Sequence, residues 1–440
     1  MNANLNPSSK QTGARARPKH STCLALLTSL TLAAVPAPAA SPPVITGVTA
    51  SQRAGTRLVD IRYTISDPSA ASVSVFIRVS RDSGTNWAVP AQSFIFGSAV
   101  GSVAVTATPT ATNVTWDAGA DWDGQYGEQC RVRVVANNDP RFVLIPPGTY
   151  QRGNSVAGGP DGRDTDITDA PVYPVFVSGF FMESNVVTGA LWDFVVHHCY
   201  VQTNYSFASG HGQSKGPRHP VQIVSWYDVV KWCNARSEVE GLTPVYYTDG
   251  PPNYGNVYRS GEIDGIYMKP GNTNGYRLPT EAEWEKAARG ALVGKRFPWG
   301  DTIDWTRANY LVCRSGVSNC YSYDAESGCS AQEDCYDPAY ADHSDPFLYT
   351  SPVGSFAPNG YGLFDMAGNV YQWCWDWYSF SYDSGQTDPQ GPSTAQPAYR
   401  VLRGGAWGNF ANAARCAYRW NDPALHAVNR LGFRCVRGGP

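Results

Sequence analysis

The stretch Tyr276-RLPTEAEWEKAAR-Gly290 carries both ends of a helix. Thr280 stands three residues before Glu283, the capping-box spacing, in which each side chain satisfies the other residue's backbone amide. Trp284, Ala287 and Ala288 fall on one face, and Gly290 supplies a left-handed stop. Glu285 and Arg289 are spaced i, i+4 and can pair. Capping and solvation explain these carboxylates, and no catalytic role is assigned to them. Ser225-WYDVVKWCNARS-Glu238 reads the same way, with Ser225 as N-cap, Asp228 at N3, and Val229, Val230 and Cys233 on one face. A third helix is predicted from Thr188 to His198; its His197-His198 pair could ligate a metal but reads better as a surface or core pair.

Upstream the texture is different. Val59 to Ser66, Ser72 to Ser80 and Cys130 to Ala136 alternate apolar and polar residues, with turn residues between them. Residues 41–138 therefore read as a β-sandwich of immunoglobulin or fibronectin type, with Trp87 and Trp116 as core or edge aromatics. Asn137-Asn138-Asp139-Pro140 reads as a linker, and residues 139–440 as a second, independently folding domain.

The first 40 residues read as a signal peptide. Lys10, Arg15, Arg17 and Lys19 precede a short apolar run, Cys23 to Val35, and Ala37-Pro38-Ala39 resembles a cleavage site. The run is too short to cross a bilayer, which takes about 20 residues, and no other run reaches that length. The reading places the protein outside the cytoplasm: secreted, periplasmic or on the cell surface. Without Cys23 ten cysteines remain, an even number that suits disulfides in an oxidising compartment. Cys313, Cys320, Cys329 and Cys335 lack the close pairs of a zinc site, and the four are expected to bridge among themselves. The partners of Cys130 and Cys199 stay open.

With 34 basic and 37 acidic residues and no basic stripe, nothing marks a nucleic-acid partner. The 43 glycines and 32 prolines, with only 16% charged residues, favour loops over long surface helices.

Seven segments in order resemble the formylglycine-generating enzyme family, also called sulfatase-modifying factor. They are Phe142 to Gly153 (FVLIPPGTYQRG), His219 to Cys233 (HPVQIVSWYDVVKWC), the opening stretch, Phe297 to Asp301 (FPWGD), Asn359 to Tyr378 (NGYGLFDMAGNVYQWCWDWY), Tyr399 to Trp407 (YRVLRGGAW) and Leu431 to Val436 (LGFRCV). The resemblance implies an α+β, C-type-lectin-like fold with little regular secondary structure behind the all-β sandwich. It also implies a copper-binding cysteine pair after the Gly-Gly motif. Here Ala406 stands for the family's serine, and residues 404–415 hold no cysteine. Copper and the family's oxidase activity are therefore not expected, and no catalytic residue is assigned.

The resemblance also implies a bridge between Cys233 and Cys435. Its second bridge keeps Cys416 but has Ala288 at the partner position, and Cys374 is taken as the substitute partner. Two structural calcium sites are implied. One uses Asn309, the carbonyl of Tyr310, Asp345 and the carbonyl of Phe347; the other uses Asp365, the carbonyls of Gly368 and Val370, and Gln372. In the second, Asp365 and Gln372 exchange the family's order of amide first and carboxylate last.

What remains is a recognition surface. Trp407, Asn409, Phe410, Asn412, Tyr418, Trp420, Asn421 and His426 combine aromatic and polar side chains suited to an extracellular protein or glycan ligand. Trp407 and Tyr418 are expected to be partly buried. The expected function is non-catalytic binding. The alternatives are a formylglycine-generating oxidoreductase, a sulfatase-maturation accessory factor, and a variable ligand-binding protein of a diversity-generating retroelement.

Overall fold

The computed structural model describes residues 43–438 except 85–86, 88, 97–98, 126, 128, 155–162, 203, 270–273, 314–320, 327–334, 341–348, 381–386 and 393–398. The signal-peptide reading therefore lies outside the described residues, as do Asp345, Phe347, Cys320 and Cys329. Among the described residues no helix is long and apolar enough to cross a membrane.

Seven strands build the N-terminal part: β1 (Val44–Gln52), β2 (Leu58–Ser66), β3 (Ser72–Ser80), β4 (Phe94–Phe96), β5 (Gly101–Ala104), β6 (Thr110–Asp117) and β7 (Arg131–Asn137). They form two antiparallel sheets, β1-β2-β6-β4 and β5-β3-β7. A one-turn helix, α1 (Ala118–Asp121), follows β6. The alternating residues Ile61, Tyr63 and Ile65 of β2 meet Val73, Val75, Ile77 and Val79 of β3 in one core, as the period of two requires. Trp87 and Trp116 are both buried, Trp87 beneath the Arg133 guanidinium and Trp116 donating to Asp121.

The alternation fails on β3 after Val75: Phe76, Arg78 and Ser80 are buried too. Their face packs on the C-terminal region. Phe76 and Val135 share a core cluster with Phe142 and Phe181, and the Phe76 and Phe181 rings lie 5.3 Å apart. Arg78 approaches Asp388 at 3.6 Å, both almost fully buried. The segment read as a linker is itself packed. Asn137 and Asp139 are buried; Arg437 donates to Asn137 at 3.1 Å, and Asp139 accepts three N–H groups of Arg141. Sandwich and C-terminal region belong to one compact unit.

The C-terminal region is mostly loop. Its strands are β8 (Phe142–Ile145), β9 (Gly148–Arg152), β10 (Tyr173–Val177), β11 (Phe180–Glu183), β12 (Tyr246–Tyr247), β13 (Tyr267–Met268), β14 (Tyr371–Trp377), β15 (Tyr399–Arg403), β16 (Trp420–Pro423), β17 (Leu431–Gly432) and β18 (Val436–Arg437). The order β18-β11-β8 joins the two ends of the region, and β16-β15-β14-β17 carries the C-terminal loop. The helices are α2 (Gly189–Gln202), α3 (Trp226–Val239) and α4 (Glu281–Arg289). Both predicted capping boxes form, Ser225 with Asp228 and Thr280 with Glu283, and Gly290 closes α4 at φ 55°. One expectation fails on α4: its carboxylates are not solvated, because every residue of the helix is buried.

Candidate recognition loop and the charge cluster beneath it

The C-terminal loop starts at two glycines that backbone conformation and close packing both favour. Gly404 (φ 95°) would put a Cβ 3.1 Å from the Trp284 ring, and Gly405 (φ 70°) would put one 2.9 Å from the backbone of Ala413. The Gly404 carbonyl accepts the Gly368 amide at 2.8 Å. From there the chain is fixed by inward-pointing residues. Trp407 is core: its indole donates to the Asn429 carbonyl and its ring lies 5.0 Å from Tyr349. Arg415 spans Asp164 and Asp166, both at 2.7 Å, and Arg419 grips Glu281 at 2.6 Å.

Under the loop lies a cluster that α4 organises. Glu281 accepts Arg152 at 2.8 Å and both Nε and Nη2 of Arg419; Glu285 accepts Arg403 at 2.6 Å, Arg289 and the Gly153 amide at 2.7 Å. Burial alone would raise the Glu281 carboxyl, but Arg419, Arg152 and Arg403 outweigh it and hold it below the usual carboxylate range. Asp376, which accepts the Glu281 amide at 2.8 Å, is pushed the other way, up to about 7, by burial and by the Glu281 charge. Lys286 donates to three carbonyls, of Pro146, Gly148 and Val177, at 2.6–3.1 Å. Burial pulls its ammonium down to about 7, yet three acceptors need three N–H groups and favour the charged form.

The predicted recognition residues divide into two groups. Trp407 is buried, while Asn409, Phe410, Asn412 and Tyr418 are half-buried. Phe410 packs with the cluster around Tyr310, and the Asn409 amide oxygen is buried without a hydrogen bond. Trp420 is 47% exposed at the start of β16, an outer strand of its sheet, and its ring lies parallel to that of Tyr418 at 6.5 Å. Asn421 is half-buried, and the exposed His426 pairs with Asp422 at 2.7 Å. Leu425 and Val428, unassigned from the sequence, are exposed beside them. Their signal was an apolar residue in a segment with no strand or helix period to bury it.

The expected bridge between Cys374 and Cys416 is not formed; both are free and buried in the same core cluster. The Cys374 sulfur sits 4.0 Å from the Gln372 carbonyl, whereas Cys416 lies by Arg289 and Glu285. Burial pushes the Cys416 thiol up to about 12 and that of Cys374 well above its ordinary value, so neither offers a thiolate near neutral pH. Cys233 and Cys435 are also free, but their sulfurs touch at 3.8 Å inside the core. Cys313 and Cys335 are each disulfide-bonded.

Of the first implied calcium site, the buried Asn309 donates its amide to the Tyr349 carbonyl at 2.8 Å, and the Tyr310 carbonyl accepts the Trp305 indole at 3.3 Å. Its other half is among the residues not described. The second site does not suit the ion. The Gln372 side-chain oxygen already accepts the Trp284 indole at 2.8 Å and Arg434 Nε at 2.7 Å, and its amide nitrogen donates to the Asp365 carbonyl at 2.7 Å. His197 and His198 lie on α2 as an exposed and a half-buried residue, and among the described residues no cluster of three or more metal-ligating side chains occurs.

These features define an α+β domain of C-type-lectin-like fold, in which long loops are tied down by buried arginines. The family described as sulfatase-modifying factor enzyme 1-like domain matches residues 130–438, and the chain belongs to it. The match begins at the last sandwich strand. The chain is 32% identical to the formylglycine-generating enzyme of Streptomyces coelicolor, over 67% of this chain and 88% of that enzyme. It is 42% identical to the serine/threonine-protein kinase pkn1 of Chlamydia caviae, over 68% of this chain but only 38% of the kinase. Among solved structures, Treponema denticola variable protein 1 aligns at TM-score 0.48 with 27% identity, covering 68% of this chain and 94% of its own.

Proposed function

We propose that this protein is a non-catalytic recognition member of its family, binding an extracellular protein or glycan through the outer face of the C-terminal loop. The observation that carries the reading is the distribution of chemistry in that loop. Residues 404–415 contain no cysteine, and Cys416 beyond them is a buried thiol far from its thiolate form. Copper-thiolate chemistry needs ionised, reachable sulfurs. The outer face instead offers Trp420, Leu425 and Val428 as exposed apolar surface, with Tyr418 stacked behind and Asn421, Asp422 and His426 as polar groups. Apolar contact with a few orienting polar groups is the usual make-up of a binding site.

The reading includes export, as the basic and apolar N-terminal segment suggests. In an oxidising compartment Cys233 and Cys435 would close into a bridge after their sulfurs move together by about 2 Å. A second reading, a formylglycine-generating oxidoreductase, draws on the likeness to the Streptomyces enzyme over 88% of its length.

Two measurements separate the readings. Purified protein, supplied with copper, is expected to leave a peptide with a sulfatase-type cysteine unoxidised; formation of the peptide aldehyde would establish the oxidoreductase. Wild-type protein and the Trp420→Ala/Asn421→Ala variant are compared on glycan arrays and in capture from the native secretome. Binding lost in the folded variant supports the recognition reading. Equal binding by both forms places the ligand elsewhere and sinks it.

A further inference from the structure

The second calcium set contains a contradiction that its hydrogen bonds resolve. Two N–H donors, the Trp284 indole and Arg434 Nε, aim at one side-chain atom of Gln372. That atom must be the oxygen, so the other is the amide nitrogen, whatever orientation the amide is first given. The nitrogen faces the Asp365 carbonyl at 2.7 Å. An amide nitrogen thus sits where a glutamate would place its second oxygen. A hard cation binds oxygen ligands and gains nothing from an N–H pointed at it.

The carboxylate of the set is engaged as well. One carboxylate oxygen of Asp365 accepts the Gly354 amide at 2.9 Å, and the other accepts the Asn369 side chain at 3.3 Å. Meanwhile the fully buried Arg434 reaches into the same loop. Its Nε donates to Gln372, one terminal nitrogen to the carbonyls of Glu183 at 3.0 Å and Ser184 at 3.3 Å, and the other to those of Phe364 at 2.6 Å and Asp365 at 3.3 Å. All five N–H directions of a guanidinium meet an oxygen, and none of these acceptors is a carboxylate.

We infer that Arg434 is the structural cation of the Asp365–Gln372 loop, and that this loop takes no calcium. The guanidinium draws together the carbonyls of Glu183, Ser184, Phe364 and Asp365, not the Gly368 and Val370 carbonyls of the implied calcium set, and Gln372 suits this place because it accepts from Trp284 and Arg434 on one atom and donates to the Asp365 carbonyl from the other. The clamp bears on the recognition loop directly: a side chain at Gly404 would meet Trp284 and Gln372, and the Gly404 carbonyl takes the Gly368 amide. The base of the recognition loop is therefore held without metal.

The test counts ions site by site, since the first implied calcium set is separate. Native mass spectrometry in calcium buffer compares wild type with Asp365→Asn. Equal numbers of bound calcium ions are expected; one ion fewer in the variant overturns the inference. Should Asp365→Asn fail to fold, wild-type crystals grown with terbium decide the matter. An anomalous peak within bonding distance of the Asp365 carboxylate refutes the assignment, and its absence there in otherwise labelled crystals supports it. Arg434→Lys keeps the charge but loses the five-donor fork. Its melting temperature should fall, and added calcium should not restore it; restoration would show that a metal can fill the place.

Discussion

The two regions of this molecule solve the same problem with different chemistry. The sandwich core is aliphatic and aromatic, assembled from alternate residues of paired strands. The C-terminal region has few long elements, and Arg236, Arg277, Arg400, Arg403, Arg415 and Arg434 are among its largest fully buried side chains. Strands satisfy their own backbone through ladders. Loops cannot, and a guanidinium offers five donors to otherwise unpaired carbonyls. Arg400 shows how far this goes: it lies between the Trp226 and Trp377 rings, 3.6 and 3.3 Å from their centroids, and donates to the Trp375 carbonyl. The difference teaches that a loop-rich fold can be as tightly specified as a sheet, but that its specification is polar and long-range.

The comparison breaks most sharply at Arg403. Arg403→Met leaves Glu285 buried with one of its charge partners gone and weakens the hold on Glu281. A loss of about 3–5 kcal/mol is expected from denaturant unfolding, the range for stripping one partner from a buried pair. An effect below about 1 kcal/mol would mean that the cluster is not what holds the region.

Next comes the seam between the regions. Phe76→Ala removes a ring that belongs to the sandwich by sequence and to the C-terminal core by packing. It should cost about 3–4 kcal/mol. Calorimetry should show one transition shifted as a whole; two separated transitions, with only the sandwich moved, would restore the picture of independent domains.

A smaller effect is expected with pH. Asp376 keeps its proton in the folded state up to about 7, whereas the unfolded chain releases it near the ordinary value of 3.8. Between those values the unfolded state binds fewer protons, so this group makes stability fall as pH rises through the window. Asp376→Asn should flatten that slope in unfolding curves taken across the range; an unchanged slope would remove Asp376 as its source.

Much of this was legible because it is local. The capping boxes at Ser225 and Thr280 and the stop at Gly290 depend on residues three to ten positions apart. The alternation of β2 and β3 announced a sandwich for the same reason. The surroundings of α4 were not legible. Glu281 looks like a solvated first-turn carboxylate, and the arginines that bury it arrive from Arg152, 129 residues before it, and Arg419, 138 residues after it.

The recognition loop divides along the same line. Its composition, with tryptophans and asparagines and no cysteine from 404 to 415, belongs to the sequence alone, whereas the burial that disarms Cys416 belongs to the fold. Which tryptophan faces outward belongs to the fold too. Trp407 and Trp420 are the same residue in the same loop, yet one packs on Tyr349 beneath the surface and the other stands half exposed on an outer strand. Likewise the sequence names Gln372 where a carboxylate was expected, but only the convergence of Trp284 and Arg434 on its oxygen decides what the exchange means. Periodicity and capping are short-range and survive in the linear chain. Burial and the choice of hydrogen-bond partner depend on residues brought together from distant segments, and exist only once the chain has folded.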